Sequence, residues 1–129
     1  MLFRSHLNPN VQEPVHKLLK NLSNVLLIEP VSYLKLLTLL KHSEFVLTDS
    51  GGIQEEAPSF GKYCIVMRDV TERMESVHLK MSELVGTNKE KIISAVTEQI
   101  ENPKIFSSHE NPYGDGNASQ RILEILSNA

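Results

Sequence analysis

Short apolar runs alternate along the chain with segments in which apolar residues recur at helical spacing. The apolar runs predict strands at 24–28, 44–48, 63–67 and, more weakly, 81–85. Helical spacing predicts helices over 11–21, 32–42, 53–59, 89–101 and 118–126. The first six residues have the pattern of a strand end whose beginning is missing. Continuously apolar strands separated by helices predict a parallel sheet covered on both faces, which is a Rossmann-like, doubly wound α/β fold.

Composition and charge narrow the class of protein. The chain has 129 residues, of which 40% are hydrophobic and 22% charged, and this fits one globular domain. Its net charge of -3 lacks the basic field that nucleic-acid binding needs, so no nucleic-acid partner is expected. No stretch approaches the roughly 18 consecutive apolar residues of a membrane span, and polar residues from Ser5 onward leave no room for a signal peptide. Because the single Cys64 also excludes an internal disulfide, we expect a cytoplasmic protein without a membrane partner.

The residue types that bind metals or carry catalysis lack the spacing that such chemistry needs. Four histidines are scattered without a metal-ligand pattern, namely His16, His42, His78 and His109. The sequence contains no GxGxxG, no GxxxxGK[ST], and no Ser-His-Asp order in a suitable setting. We therefore expect no metal, no cofactor and no catalytic residue within this chain.

The segment 48–56 is the first candidate site, because it follows a strand at the edge where parallel sheets bind ligands. Gly51 and Gly52 let the backbone approach a ligand closely. The N–H groups at the helix start, together with the Ser50 hydroxyl, can hold a phosphate. Glu56 lies one turn further along the side of Gly52, where its carboxylate could reach ribose hydroxyls. The alternative interpretation, which this loop alone slightly favours, is a tight turn followed by a solvated helix face.

Two further candidates also follow predicted strands. Arg73 could contact a phosphate through two hydrogen bonds, while Glu72 could orient it or accept a hydrogen bond from a sugar hydroxyl. A surface cluster of ion pairs is an equally supported alternative. His6 could bind an anion or a sugar, although the Asn and Pro residues that follow explain a turn there without any function. Before the last predicted helix, Asn117 is a candidate N-cap.

Five segments cover nearly all of the chain from His6 onward, namely HLNPNVQEPV, LTDSGGIQEEAPSFGK, VMRDVTER, LVGT and NPYGDGNASQRILEIL. In this order and spacing, they resemble the bacterial, non-hydrolysing UDP-N-acetylglucosamine 2-epimerases. DSGGIQEEAP followed by RDxTER is highly specific, and NPYGDG favours the bacterial branch. The resemblance is to the C-terminal domain of that family only.

The resemblance implies one half of a glycosyltransferase-B-like fold, in which two Rossmann-like domains hold a nucleotide sugar between them. Residues 1–129 would be the C-terminal UDP-binding domain, and the N-terminal catalytic domain would be absent. Ser50, Gly51 and Gly52 match family residues that bind the diphosphate. Glu56 matches the carboxylate on the ribose, and Arg73 matches an arginine at the same cleft. His6 matches a histidine associated with an allosteric UDP-N-acetylglucosamine site.

The implied reaction interconverts UDP-N-acetylglucosamine and UDP-N-acetylmannosamine for surface polysaccharide synthesis. It proceeds by anti elimination of UDP to a 2-acetamidoglucal, followed by re-addition on the opposite face. In the family the acid/base carboxylates and a lysine come mainly from the N-terminal domain, so this chain is expected to bind UDP or a UDP-N-acetylhexosamine and to be inactive alone. One alternative is reassembly with a separately encoded N-terminal half. Another is a non-catalytic remnant or nucleotide-sugar-binding module of a truncated or split gene. The family commonly forms dimers, so a homodimer is a further expectation.

Several positions depart from the motifs of the family. Leu36 stands where an aromatic residue is usual, which predicts the loss of a stacking contact with uracil. Tyr63 and Met74 replace prolines, which predicts looser loops. Leu79 and Lys80 replace an Ala-Gly pair, and the loss of a glycine that needs positive φ would destabilise the chain. These changes predict weakened UDP binding and fit relaxed selection.

Overall fold

The computed structural model describes residues 1–4 and 8–128, which form two compact units, Met1–Thr38 and Leu39–Ala129. The first contains β1 (Leu2–Arg4), α1 (Pro9–Leu19), β2 (Leu26–Ile28) and most of α2 (Tyr33–His42). The second contains β3 (Phe45–Thr48), α3 (Gly51–Glu56), β4 (Tyr63–Val66), α4 (Met74–His78), β5 (Ser82–Leu84), α5 (Lys89–Glu101) and α6 (Ala118–Ser127). Two 3₁₀ turns cover Ala57–Phe60 and Ser108–Glu110.

In the first unit, β1 and β2 pair in parallel, with Leu2 opposite Leu26. Helix α1 begins two residues before its predicted start, because the Asn8 side chain caps it by accepting a hydrogen bond from Asn10 N at 3.0 Å. Pro9 suits the first turn, since its missing N–H would have no helical partner there. The turn expected at the Asn and Pro residues after His6 is therefore wrong for Pro9 and Asn10, which begin the helix. The candidate His6 lies outside the described residues.

The second unit contains a parallel sheet in the order β3-β4-β5, with β4 in the centre. Every residue of β4 is buried, and alternate side chains point to opposite faces. Tyr63 and Ile65 pack with Ala95 of α5 on one face. Cys64 and Val66 pack with Ala57 on the other. This two-sided core confirms the predicted parallel α/β arrangement within this unit.

The apolar spacing predicts α5 with its observed bounds but does not predict which apolar residues are buried. Ile92 and Val96 pack on the core, whereas Ile93 and Ile100 are 54% and 65% exposed. The apolar residues of α6 are exposed as well, namely Ile122, Leu123, Ile125 and Leu126. Asn117 precedes α6 as predicted, but its side chain makes no capping bond. Instead, its backbone N donates to Asp115 Oδ1 at 3.1 Å.

Two of the departures from the family motifs have clear structural settings. Tyr63 begins a buried strand, and its ring stacks on Phe106 with a centroid distance of 6.2 Å. Its hydroxyl accepts a hydrogen bond from Lys104 Nζ at 3.0 Å, so the expected loosening of a loop is wrong at this position. Lys80 has a φ of 57°, in the left-handed region that favours glycine. The predicted need for positive φ is confirmed there.

Candidate functional site

The segments that follow β3 and β4 meet at the carboxyl edge of the three-stranded sheet, as expected for parallel neighbours. Helix α3 begins at Gly51, two residues before its predicted start, with Ser50 as its N-cap. Arg73 immediately precedes α4, and its guanidinium lies against Gly51. A Cβ at Gly51 would be 3.1 Å from Arg73 Cζ and 3.3 Å from both terminal nitrogens. A cation therefore lies beside the first turn of a helix, at a position where a side chain would crowd it.

The two glycines differ in their surroundings. At Gly52 a Cβ would meet only Ser50 Oγ, at 3.9 Å, which is an ordinary van der Waals contact. The Ser50 hydroxyl makes no capping bond with α3, while its backbone N donates to Thr48 Oγ1 at 3.0 Å. The close approach thus explains a glycine at 51, and the exposed side of the helix start is formed by Ser50 and Gly52.

Two carboxylates hold the Arg73 guanidinium. Nε donates to Glu55 Oε1 at 2.8 Å, and Nη1 donates to Glu72 Oε2 at 2.6 Å. The hydrogen bond to Glu55 is the largest of the effects that raise the pKa of Arg73. Because the Glu72 side chain is 87% exposed, its ion pair adds little to the stability of the fold. The predicted orienting role of Glu72 agrees with this contact, and Glu55 is a second carboxylate partner that the sequence did not predict.

A buried glutamine links the two segments from beneath. Gln54 is fully buried, and its Oε1 accepts a hydrogen bond from Thr71 Oγ1 at 2.8 Å. Its Nε2 donates to the Ser50 carbonyl at 3.3 Å, and Thr71 Oγ1 in turn accepts from Arg73 N at 3.2 Å. Neither residue was predicted to belong to the site, because helical periodicity gives no sign that a polar residue of α3 is buried.

Glu56 faces a cleft beside the contact between Gly51 and Arg73. It is the last residue of α3, is half-buried, and lines an open cleft of about 840 Å³. The cleft is also lined by Glu55, Asn111, Tyr113, Asp115 and Arg121. Ser50, Gly51, Gly52 and Arg73 are not among its lining residues. Of the predicted site residues, the structure therefore groups Gly51 with Arg73 and places Glu56 in the adjoining cleft, with Glu55 common to both.

The NPYGDG segment contacts the Arg73 backbone through Tyr113. The Tyr113 hydroxyl lies 3.3 Å from the Arg73 carbonyl oxygen and 3.1 Å from Ser76 Oγ, so it can donate to either. Asn111 Nδ2 donates to Ser59 Oγ at 2.9 Å and attaches the same segment to the end of the 3₁₀ turn that follows α3. The sequence shows this segment only as a family motif ahead of the last helix, and these contacts join it to the candidate site.

Other chemistry finds little support in the described part of the chain. No group of three His, Cys, Asp or Glu side chains there could hold a metal ion. Burial raises the pKa of the Cys64 thiol to about 12, so it is protonated at neutral pH and is a poor nucleophile. Among residues 1–4 and 8–128, no helix has both the length and the apolar character needed to cross a membrane.

Comparisons with known proteins agree on one family. The model of the family described as UDP-N-acetylglucosamine 2-epimerase matches residues 1–127. The UDP-N-acetylglucosamine 2-epimerases of Yersinia pestis and of Escherichia coli K12 are each 50% identical over 131 residues, covering 99% of this chain and 35% of the relative. The chain thus spans about a third of the length of these relatives.

Solved structures of similar proteins share the fold. The crystal structure of UDP-GlcNAc 2-epimerase from Neisseria meningitidis bound to UDP-GlcNAc has a TM-score of 0.88 at 46% identity, over 99% of this chain and 35% of that one. The S. aureus MnaA-UDP co-structure has a TM-score of 0.87 at 42% identity, over 98% of this chain and 35% of that one. These matches confirm the predicted Rossmann-like α/β class. The chain belongs to the UDP-N-acetylglucosamine 2-epimerase family and corresponds to about one third of its full-length members.

Proposed function

We propose that this chain is the UDP-binding region of a UDP-N-acetylglucosamine 2-epimerase, equivalent to the C-terminal domain of the family. Ser50, Gly51, Gly52 and Arg73 bind the diphosphate, and Glu56 binds the ribose. The observation that carries the proposal is the approach of the Arg73 guanidinium to Gly51, 3.1 Å from where a Cβ would lie. Helix N–H groups and an arginine beside them attract the same phosphate oxygens.

In the proposed reaction, a proton leaves C2 of the sugar and the C1–O bond to UDP breaks, giving a 2-acetamidoglucal and free UDP. UDP then re-adds at C1 while C2 gains a proton on the opposite face. The negative charge that grows on the departing diphosphate is stabilised by Arg73 and by the first N–H groups of α3. A guanidinium has five N–H donors, so Arg73 can bind phosphate and keep a carboxylate partner.

Relatives with bound nucleotides support UDP or a UDP-N-acetylhexosamine as the ligand. The residues proposed here hold the nucleotide, and the acid/base groups at the sugar are proposed to lie in the part of the relatives that this chain does not match. The 129-residue chain tested alone would therefore bind UDP without interconverting the two epimers.

A UDP titration of the chain, followed by amide NMR, tests the nucleotide site. We expect shifts clustered at Ser50, Gly51, Gly52 and Arg73, and a weaker affinity in Arg73→Ala and Glu56→Ala. Lys91→Ala, an exposed position of α5, is the charge-matched control and should bind as the wild type does. An absence of shifts at millimolar UDP in the wild type would contradict the proposal.

Reassembly with a separate N-terminal half is supported by the exposed apolar residues of α6. Leu123, Ile125 and Leu126 are 64%, 70% and 68% exposed, and such an apolar surface suits burial against another protein surface. Co-expression with the part of the Escherichia coli relative that this chain does not match would test it. Epimerisation in the mixture but in neither part alone is expected.

We also propose that the protein forms a homodimer and is cytoplasmic. Sedimentation tests the oligomeric state, and cell fractionation tests the location.

A non-catalytic remnant or nucleotide-sugar-binding module is the second candidate. It is favoured by Leu36, which lacks the ring needed for stacking on uracil, and by Lys80 in a left-handed conformation. A remnant should bind UDP no better than ADP, whereas a working site should prefer UDP. Parallel titrations with the two nucleotides separate these outcomes.

A further inference from the structure

The Arg73 backbone is fixed by hydrogen bonds from both sides of the candidate site. Its N–H donates to Thr71 Oγ1 at 3.2 Å. Its carbonyl oxygen lies 3.2 Å from Ser76 Oγ and 3.3 Å from the Tyr113 hydroxyl. Arg73 belongs to no helix or strand, so these side chains supply bonds that regular structure would otherwise provide.

The bond on the amide side connects Arg73 to the start of α3. Thr71 Oγ1 accepts from Arg73 N and donates to Gln54 Oε1 at 2.8 Å. Gln54 Nε2 reaches the Ser50 carbonyl at 3.3 Å. Gln54 is 0% exposed, and water cannot replace a partner that it loses, so its position is well determined. The relay Ser50–Gln54–Thr71–Arg73 therefore fixes the distance between the two proposed phosphate-binding segments.

We propose that Gln54, Thr71 and Tyr113 are positioning residues, which hold the Arg73 backbone so that its guanidinium lies beside Gly51. The inference rests on the proposed UDP site and names residues that act through Arg73 rather than on the nucleotide. Glu55 completes the arrangement by binding Nε at 2.8 Å, which orients the guanidinium once the backbone is fixed.

Two substitutions that nearly preserve side-chain shape test the relay. Thr71→Val keeps the shape of the side chain and removes both hydrogen bonds, and Tyr113→Phe removes only the hydroxyl. Each is expected to weaken UDP binding by roughly tenfold. Thr71→Ser keeps a hydroxyl and should bind UDP as the wild type does. Thr97→Val, on the exposed part of α5, is the matched control and should change nothing.

A double-mutant cycle with Arg73→Ala separates positioning from direct contact or general destabilisation. If Thr71 and Tyr113 act through Arg73, their substitutions should change the UDP affinity in the wild-type background and not in Arg73→Ala. The Arg73 Nε–Hε NMR signal should also move in both variants and return in Thr71→Ser. If Thr71→Val does not fold, Tyr113→Phe carries the same test, since its ring remains in place.

The outcomes distinguish this inference from the proposed function. Wild-type affinity that is weakened in Arg73→Ala but unchanged in Tyr113→Phe and in folded Thr71→Val would overturn the relay and leave the UDP site standing. A Tyr113→Phe effect that persists in Arg73→Ala would show that Tyr113 acts on the nucleotide directly, and would overturn its positioning role. If the wild type binds no UDP, the proposed function fails, and the relay fails with it as a device for UDP binding.

Discussion

Gly51 and Gly52 are neighbours in sequence, but a side chain would be crowded at Gly51 and would have room at Gly52. A Cβ at Gly51 would lie 3.1 Å from the Arg73 guanidinium, whereas at Gly52 the nearest atom is 3.9 Å away. Glycine lowers helix stability through the freedom of the unfolded chain, so it is retained most easily where a side chain would interfere. Of these two glycines, Gly51 meets that condition and Gly52 does not.

Alanine at these two positions should therefore affect stability differently. Gly52→Ala is expected to raise the free energy of unfolding by about 0.5 kcal/mol, because the site is open and alanine favours a helix. Gly51→Ala should give no such gain, since the Arg73 guanidinium, 3.1 Å from the new Cβ, must shift to make room for it. Urea unfolding of both variants measures the difference. Equal gains at the two positions would show that Arg73 does not constrain Gly51.

Lys80 occupies a left-handed conformation, with φ at 57°, after the end of α4. A residue with a side chain loses about 1–2 kcal/mol of stability in the left-handed region, and glycine avoids this cost. Glycine in turn loses roughly 0.4–1 kcal/mol, because it gives the unfolded chain more conformational entropy. Lys80→Gly should thus stabilise the chain by about 0.5–1 kcal/mol. Lys80→Ala, which keeps the Cβ, should leave the unfolding midpoint almost unchanged. A gain in both variants would mean that the lysine side chain, not its conformation, is the cause.

Among the elements, α6 is stabilised by polar contacts at its start more than by packing of its apolar residues. The apolar residues of this helix are exposed, and Asp115 binds Arg121 through two hydrogen bonds of 3.0 and 2.6 Å. Asp115 Oδ1 also accepts from Asn117 N at 3.1 Å. Because these bonds favour the carboxylate, they hold the pKa of Asp115 well below its ordinary value, with Arg121 as the main cause.

A lowered pKa has a defined consequence for the pH dependence of α6. The contribution of Asp115 is fully present above its unfolded pKa of about 3.8, and it is lost progressively as the pH falls from there through the lowered folded pKa. Carbon chemical shifts of residues 118–122 should therefore report a frayed helix start in acid and an ordered one at pH 7. Asp115→Asn should already be frayed at pH 7. Identical shifts in the two proteins at pH 7 would contradict this role.

At the scale of the whole molecule, two observations support the proposed assembly with the rest of an epimerase. They are the exposed apolar residues of α6 and the match to 35% of each relative. If this face binds the rest of an epimerase, charges on it should block assembly without unfolding the chain. Leu123→Glu with Leu126→Glu should change the free energy of unfolding by less than about 0.5 kcal/mol, because both residues are exposed. The same pair should abolish the activity recovered by co-expression.

Lys91→Glu is the control for this experiment, because it changes the net charge by the same two units at an exposed position of α5, a different helix from that of the two leucines. It should leave both stability and reassembly intact. Recovery of activity in the double leucine variant would exclude α6 as the assembly surface.

The sequence by itself determined the parallel α/β class, the bounds of α5, the family motifs and the candidates Ser50, Gly51, Gly52, Glu56 and Arg73. These follow from local signals, since the apolar period and the glycine pair lie within one element or one loop. Only the tertiary structure decided that Glu55 binds Arg73, and that Gln54 is buried beneath both segments. Those contacts join residues 17 and 18 positions apart, and their geometry depends on how two neighbouring strands align. The same holds for which apolar faces are buried, because periodicity defines a face without naming the surface that covers it.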